Sequence, residues 1–203
     1  MNWLSHLFLS KHDIDWKLGN LLADPLKGKS WIGASHSVKQ GMALHQTIDI
    51  YTDNHSLFKK SKSLLKQDTY LRGVVIDVAY DYCLAKYWSN YSIETLDDFL
   101  DNFYTQAKQA YKNYPDTAKN FLDRLINADA LRDYRNINHI SQTLIRIDQR
   151  LSQRVAAKEK SSDHLPEVLA NIEDIEIHFL AFFPQLMSHV QLSIGNHKPL
   201  HWR

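Results

Sequence analysis

Apolar positions recur at three- and four-residue intervals through most of the chain, the spacing of helices with one buried face. Trp3, Leu4, Leu7 and Phe8 predict a short helix within residues 1–10. Asp15 is placed to cap a second helix over residues 16–23, which ends before Pro25. Ser35 or Ser37 opens a long helix through His45, Asp49 and Asp53, and Ser56 caps the next, over residues 57–66. Asp68 precedes a helix carrying Asp77 and Asp81 to about Trp88. Beyond it, Ser92 begins residues 93–111, and Pro115 begins a helix to about Asn127. Residues 134–157 form an amphipathic stretch with Ile137, Ile140, Leu144, Ile147 and Leu151 on one face. A polar connection over 158–164 leads to a helix over 165–183 that Pro184 interrupts. Only six Gly and five Pro are present, too little turn chemistry for an all-β fold. The expectation is an all-α protein, one compact multi-helix domain over residues 1–203. Its chemistry-bearing helices fall within 1–90, its supporting helices within 91–194, and a frayed tail over 195–203.

Composition narrows the classes of function. A chain of 203 residues can bury one adequate core, and 44% hydrophobic with 23% charged residues is ordinary for a globular protein. A net charge of +1 gives no polyanion-binding signature, so nucleic acid is not an expected partner. No apolar run approaches the roughly 18 residues of a membrane span, and the apolar N-terminus lacks a basic leader region. The lone Cys83 lies in an apolar helical run and reads as a buried thiol in a reducing compartment, so the cytoplasm is the expected location.

The polar residues inside the helical pattern carry the chemistry. His45 and Asp49 stand four residues apart, as do Asp77 and Asp81, so each pair shares a helix face. The face of Asp77 and Asp81 also carries Val74, Leu84, Ala85 and Trp88. Burying one carboxylate without compensation costs several kcal/mol, on the order of the penalty for breaking a buried ion pair. A shared divalent cation, ligated also by His45 and Asp49, would compensate both. Asp24 stands at a helix C-terminus, where the dipole opposes a carboxylate, and so also calls for a partner. His6 sits among core residues of the first helix. Lys27 and Lys29 form a basic loop, a solvated surface or a phosphate contact. Lys59, Lys60, Lys62 and Lys66 fall within little over two turns, a solvated face or a docking surface for an acidic protein.

The blocks NWLSHLFLS, GNLLADPLKGK, GMALHQTID, YTDNHS and GVVIDVAYDYCLAKYW, in that order, resemble the bacterial acyl carrier protein phosphodiesterases, also called holo-acyl-carrier-protein hydrolases. A weaker echo continues in Asp133-Tyr134-Arg135 and in residues 182–187. That family looks like a rearranged member of the HD-domain metal phosphohydrolases. The resemblance implies hydrolysis of the phosphodiester that joins 4′-phosphopantetheine to a serine of the carrier protein. It implies a divalent metal, usually Mn²⁺, with Mg²⁺ or Fe²⁺ as alternatives. Carried over position by position, it marks Asp24, His45, Asp49, Asp77 and Asp81 as metal ligands. Asp49 or Asp77 would orient water, and His6 would protonate the leaving serine oxygen. Lys27, Lys29 and Arg72 would face the phosphate, and Lys59 to Lys66 the acidic carrier. Two positions depart from the pattern: Gln46 stands where the family usually has Arg, and Tyr82 where it usually has His. Those departures frame the alternatives, a carrier-binding helical protein with impaired chemistry or a hydrolase of another phosphate ester. In a third reading the acids make ordinary ion pairs with Arg72 and other cations.

Overall fold

The computed structural model describes residues 1–66 and 69–203. The expected Asp68 lies outside the described residues. Among the described residues the regular structure is helical: α1 (Trp3–Phe8), α2 (Ile14–Leu22), α3 (His36–Asn54), α4 (Ser56–Ser63), α5 (Arg72–Lys86) and α6 (Trp88–Tyr91) come first. They are followed by α7 (Leu96–Ala110), α8 (Asp116–Asn127), α9 (Asn138–Asp148), α10 (Gln153–Ala156), α11 (Leu165–Ala170) and α12 (Ile172–Ser193). Short 3₁₀ turns join several of them. The all-α expectation stands; most buried apolar residues form one core, with a small second cluster of Ala23, Ala34, Val38 and Met42 beside it.

α5 is the axis of that core. Val75, Ile76, Val78, Ala79, Tyr80, Cys83 and Leu84 are fully buried, so this helix is apolar around most of its circumference. Such a helix packs on several sides at once, here against α1, α4, α9 and α12. Its polar residues are therefore carried inward. The Tyr80 ring meets Phe58 of α4 and Phe179 and Phe182 of α12. The aromatic core continues from Phe183 to Phe8 of α1, joining both ends of the chain.

α2 and α3 pack more closely than ordinary side chains permit. A Cβ on Gly19 would lie 2.1 Å from the Val38 carbonyl oxygen, and one on Gly41 would lie 2.1 Å from that of Trp16. The two glycines let the backbones touch. This contact fixes Asn20 of α2 against the middle of α3, where His45 sits.

Several expected boundaries move for identifiable reasons. Asp13, not Asp15, caps α2, accepting from the Trp16 amide at 2.9 Å. Asp15 instead accepts from the Ser35 and Tyr114 hydroxyls. Ser35 does cap α3, through the Val38 amide. The caps of α4 and α7 are His55 and Thr95 rather than Ser56 and Ser92. The stretch 134–157 is broken, because Ser152 caps a separate α10. Pro184 does not end its helix: α12 runs through it to Ser193. A proline forfeits one backbone hydrogen bond, and the fully buried Phe182, Phe183 and Leu186 around it outweigh that loss. The tail is docked rather than frayed. Trp202 Nε1 donates to the Phe8 carbonyl at 3.1 Å, the Ile93 amide donates to the His201 carbonyl, and Trp202 is 4% exposed.

Candidate metal centre

The α2–α3 contact and the short α1 bring two histidines face to face. The rings of His6 and His45 stack with centroids 3.9 Å apart and planes 12° from parallel. Asn20 sets both. Its side-chain amide nitrogen donates to the His6 carbonyl and the Ser10 hydroxyl, which leaves its Oδ1 as the acceptor for His6 Nδ1 at 2.9 Å. Its backbone carbonyl accepts from His45 Nδ1 at 2.8 Å. Both histidines therefore carry a proton on Nδ1 and aim Nε2 the same way, the arrangement by which an outer partner fixes a ligand's tautomer.

The two Nε2 atoms converge on one carboxylate. Asp49 Oδ1 lies 3.2 Å from His6 Nε2, and its Oδ2 lies 3.1 Å from His45 Nε2. One ligand atom from each of His6, His45 and Asp49 lies within 4.8 Å of the others, the spacing of a group that could hold a metal ion. Asp24, at the open edge with its side chain 70% exposed, also approaches His45 Nε2, at 3.1 Å. Burial pushes the His45 pKa down, but the hydrogen bonds it donates to Asp24 and Asp49 outweigh it and hold the value up at about 9. For Asp49, burial acts upward, and the hydrogen bonds from both histidines pull it well below the carboxylate range. The His45 hydrogen bond likewise lowers Asp24.

His6 is in the opposite state. Burial, then the His45 charge, drives its pKa down to about 4, so it is neutral near pH 7. With the proton on Nδ1, its Nε2 lone pair faces two further acceptors, the Met1 carbonyl at 3.1 Å and Asp49 Oδ1. Lone pairs aimed at one another are unfavourable unless a cation stands between them. The donor set, two imidazoles and carboxylates, fits a divalent ion of intermediate hardness.

The other predicted residues take different places. Asp77 pairs with the α-ammonium of Met1 at 2.9 Å, and Asp49 Oδ1 is 3.5 Å from the same group. Burial raises the Asp77 pKa and the ammonium opposes it. Asp81 is not brought into the group. It is fully buried against the N-terminus of α1, accepting from the Leu4 amide at 2.7 Å, the Ser5 amide at 3.1 Å and the Ser5 hydroxyl. A carboxylate there satisfies the orphan amides of the first turn and complements the helix dipole. Burial raises its pKa to about 7, with the Ser5 and Leu4 hydrogen bonds opposing the shift. Asp81 thus positions His6 by fixing the helix that carries it.

This role gives an expected result. Asp81→Asn offers one oxygen where two amides need acceptors and turns its own NH₂ toward an N–H. The variant loses about 1–3 kcal/mol of stability, the cost of an unsatisfied buried donor, read as a lower urea midpoint at pH 8. Retention of the wild-type midpoint contradicts the role.

Lys27 and Lys29 lie exposed in the turn after α2, with Lys27 and Gly28 at positive φ. Gln46 is exposed beside that turn, its amide 3.4 Å from where a Gly28 Cβ would be. Lys59, Lys62 and Arg72 line a cleft of about 490 Å³ together with Asp53 and Asp77. Lys60 and Lys66 are exposed, and the Lys66 amide is tied to Glu167. Tyr82, next to Asp81 but turned away from it, lies beneath Lys86, whose Nζ is 5.9 Å from its ring. The second departure from the family pattern is therefore outside the histidine–aspartate group. Sequence reasoning missed Gly19 and Gly41, whose signal was a glycine inside each helical run. It also missed Met1, for which no side-chain pattern exists.

Fold and site together define an all-helical protein with a partly buried histidine–aspartate centre that could hold a metal ion. The sequence matches the family described as acyl carrier protein phosphodiesterase over residues 1–186, and the chain belongs to that family. It is 28% identical over 190 residues to an acyl carrier protein phosphodiesterase of Enterobacter sp. (strain 638), covering 92% of this chain and 96% of that one. It is 27% identical over 191 residues to the proteins of the same name from Salmonella paratyphi A and Salmonella agona, covering 93% and 96%. No solved structure matches it. Among the described residues no helix is long and apolar enough to cross a membrane.

Proposed function

We propose that this protein is a metal-dependent phosphodiesterase that releases 4′-phosphopantetheine from holo acyl carrier protein, leaving the apo carrier with a free serine hydroxyl. The family and its relatives name the substrate. The observation that carries the metal requirement is the pair of tautomer-fixed histidines whose Nε2 atoms meet on Asp49.

His6, His45 and Asp49 would hold the ion, with Asp24 beside them at the mouth. Here His6 serves as a ligand rather than as the proton donor that the resemblance implied, because its free lone pair points into the group. A bound divalent ion supplies positive charge to a phosphoryl oxygen and a more acidic water. The chain's own groups do the rest. Asp49 holds both imidazoles in register. Asp77, fixed by the Met1 ammonium, orients the attacking water on the cleft side. Asp24 is solvent-accessible and placed to pass a proton between the site and bulk water. Lys27 and Lys29 offset charge on the phosphate from the neighbouring turn. Lys59, Lys60, Lys62 and Lys66 steer the acidic carrier, which makes the on-rate fall with salt. Imidazole ligation favours Mn²⁺ or Fe²⁺ over Mg²⁺, which prefers an all-oxygen shell. The buried free thiol Cys83 fits a cytoplasmic location alongside fatty-acid synthesis.

Calorimetric titration of chelator-treated protein with Mn²⁺ tests this reading. Wild type binds the ion, and His6→Ala weakens binding by more than the roughly 10- to 100-fold that loss of an outer partner costs. Equal affinity in wild type and variant, or no binding by wild type, overturns it.

A further inference from the structure

A second cleft lies beside the lysine cleft. Its volume is about 430 Å³, within the range of about 300–1,000 Å³ typical of small-ligand sites. It begins at Asp24, and its floor is Trp3, Phe121 and Ile147. Trp3 and Phe121 meet edge to face at 5.3 Å. Arg124 and Arg150 stand along its walls, and Arg150 lies 5.7 Å from the centroid of the Trp3 ring. Past Trp3 and Ile147 the groove narrows into a pocket of about 40 Å³ reaching Tyr134 and Arg146. Val74 lines both this groove and the lysine cleft, and each is bordered by an acid near the centre, Asp24 in the groove and Asp77 in the lysine cleft.

Both arginines are exposed to solvent. Among the described residues neither Arg124 nor Arg150 has a carboxylate partner; Arg124 Nε donates to the Asn120 carbonyl of its own helix. Burial, then the charges of Arg124 and Arg146, pushes the Arg150 pKa down, a repulsion that acceptor oxygens in the groove would relieve. The site thus offers guanidinium donors over an aromatic and aliphatic floor, opening at the candidate phosphate position.

We propose that this groove takes the pantetheine arm of the substrate while the carrier protein itself lies over the lysine cleft. The assignment rests on the function proposed above. A phosphodiester at the centre has two substituents, and the two clefts differ in the chemistry each fits. The arm is a narrow chain with a gem-dimethyl group, a hydroxyl and two amides. Its methyl groups match Trp3 and Phe121, and its carbonyl oxygens accept from Arg124 and Arg150. The lysine cleft, edged by flexible ammonium groups at the surface, suits the acidic side chains of a folded partner.

The test is photocrosslinking with a holo carrier whose arm thiol bears a benzophenone. The full-length protein is irradiated with this carrier, and adducts are mapped on tryptic peptides. An adduct survives on the peptide whether or not the ester is cleaved afterwards. Adducts within residues 117–150, lost in Arg150→Glu, are expected. Adducts within residues 59–72, or none from a carrier that the wild type still cleaves, overturn the arm placement while leaving the phosphodiesterase reading intact. A carrier neither cleaved nor bound overturns that reading, and the arm placement with it.

Discussion

His45→Ala leaves the protein folded and lowers cleavage of the holo carrier by about a thousandfold or more, the equivalent of the several kcal/mol a metal contributes to transition-state charge. The geometry separates the two effects. His45 Nε2 approaches both Asp24 and Asp49, at 3.1 Å each, so its loss removes a ligand and a link between two acids. The fold has other support there. Asp49 keeps its contacts to His6 and the Met1 ammonium, and Asp24 is mostly solvated. Stability changes by about 1–3 kcal/mol, as for other lost charged hydrogen bonds. Far-UV circular dichroism and the rate of carrier cleavage by the same sample check both halves. An unaltered spectrum with wild-type turnover would remove His45 from the mechanism.

Gly41→Ala has the opposite profile, a large loss of stability from a residue that touches no substrate. The new Cβ would lie 2.1 Å from the Trp16 carbonyl oxygen and 2.9 Å from the Asn20 amide nitrogen. Both neighbours are backbone atoms, which cannot rotate aside. α2 and α3 must separate, at about 3 kcal/mol or more, the upper part of the range for overpacked sites. Separation also draws the Asn20 carbonyl from His45 Nδ1, so activity falls with stability. Gly73→Ala is the control: a Cβ there meets nothing within 4 Å, and α5 tolerates or gains from the helix former. Thermal unfolding of the two variants reads the contrast. Equal midpoints would show that the helices can accommodate a methyl group.

The sequence carried the helical register of the centre but not its compensation. His45 and Asp49 four apart implied one face, and they share it. Asp81 was legible only as a buried carboxylate in need of a partner. A cation and a helix N-terminus meet that need equally well, and which one is present depends on where α1 docks. The amides of Leu4 and Ser5 supply it. His6 was visible through the family resemblance, and its ligand geometry arises from Asn20, which orients both imidazoles from one residue. Caps slipped by one to three positions because Asp13 and Asp15, or Ser92 and Thr95, are chemically equivalent candidates. Pro184 broke a local rule that tertiary packing overrides, and the docked tail rests on Trp202 and His201, contacts about 190 residues apart in sequence. The arginine groove draws on α1, α8 and α9, whose side chains share no local spacing.

The central claim is that a metal held by the His6–His45–Asp49 group cleaves the carrier's phosphodiester. Intact-mass analysis of holo acyl carrier protein after incubation with the purified protein, with and without Mn²⁺, tests it most directly. The account predicts a metal-dependent shift to the mass of the apo carrier, absent with His45→Ala. A holo carrier unchanged by wild type in the presence of Mn²⁺, or cleaved equally by wild type and His45→Ala, would contradict it.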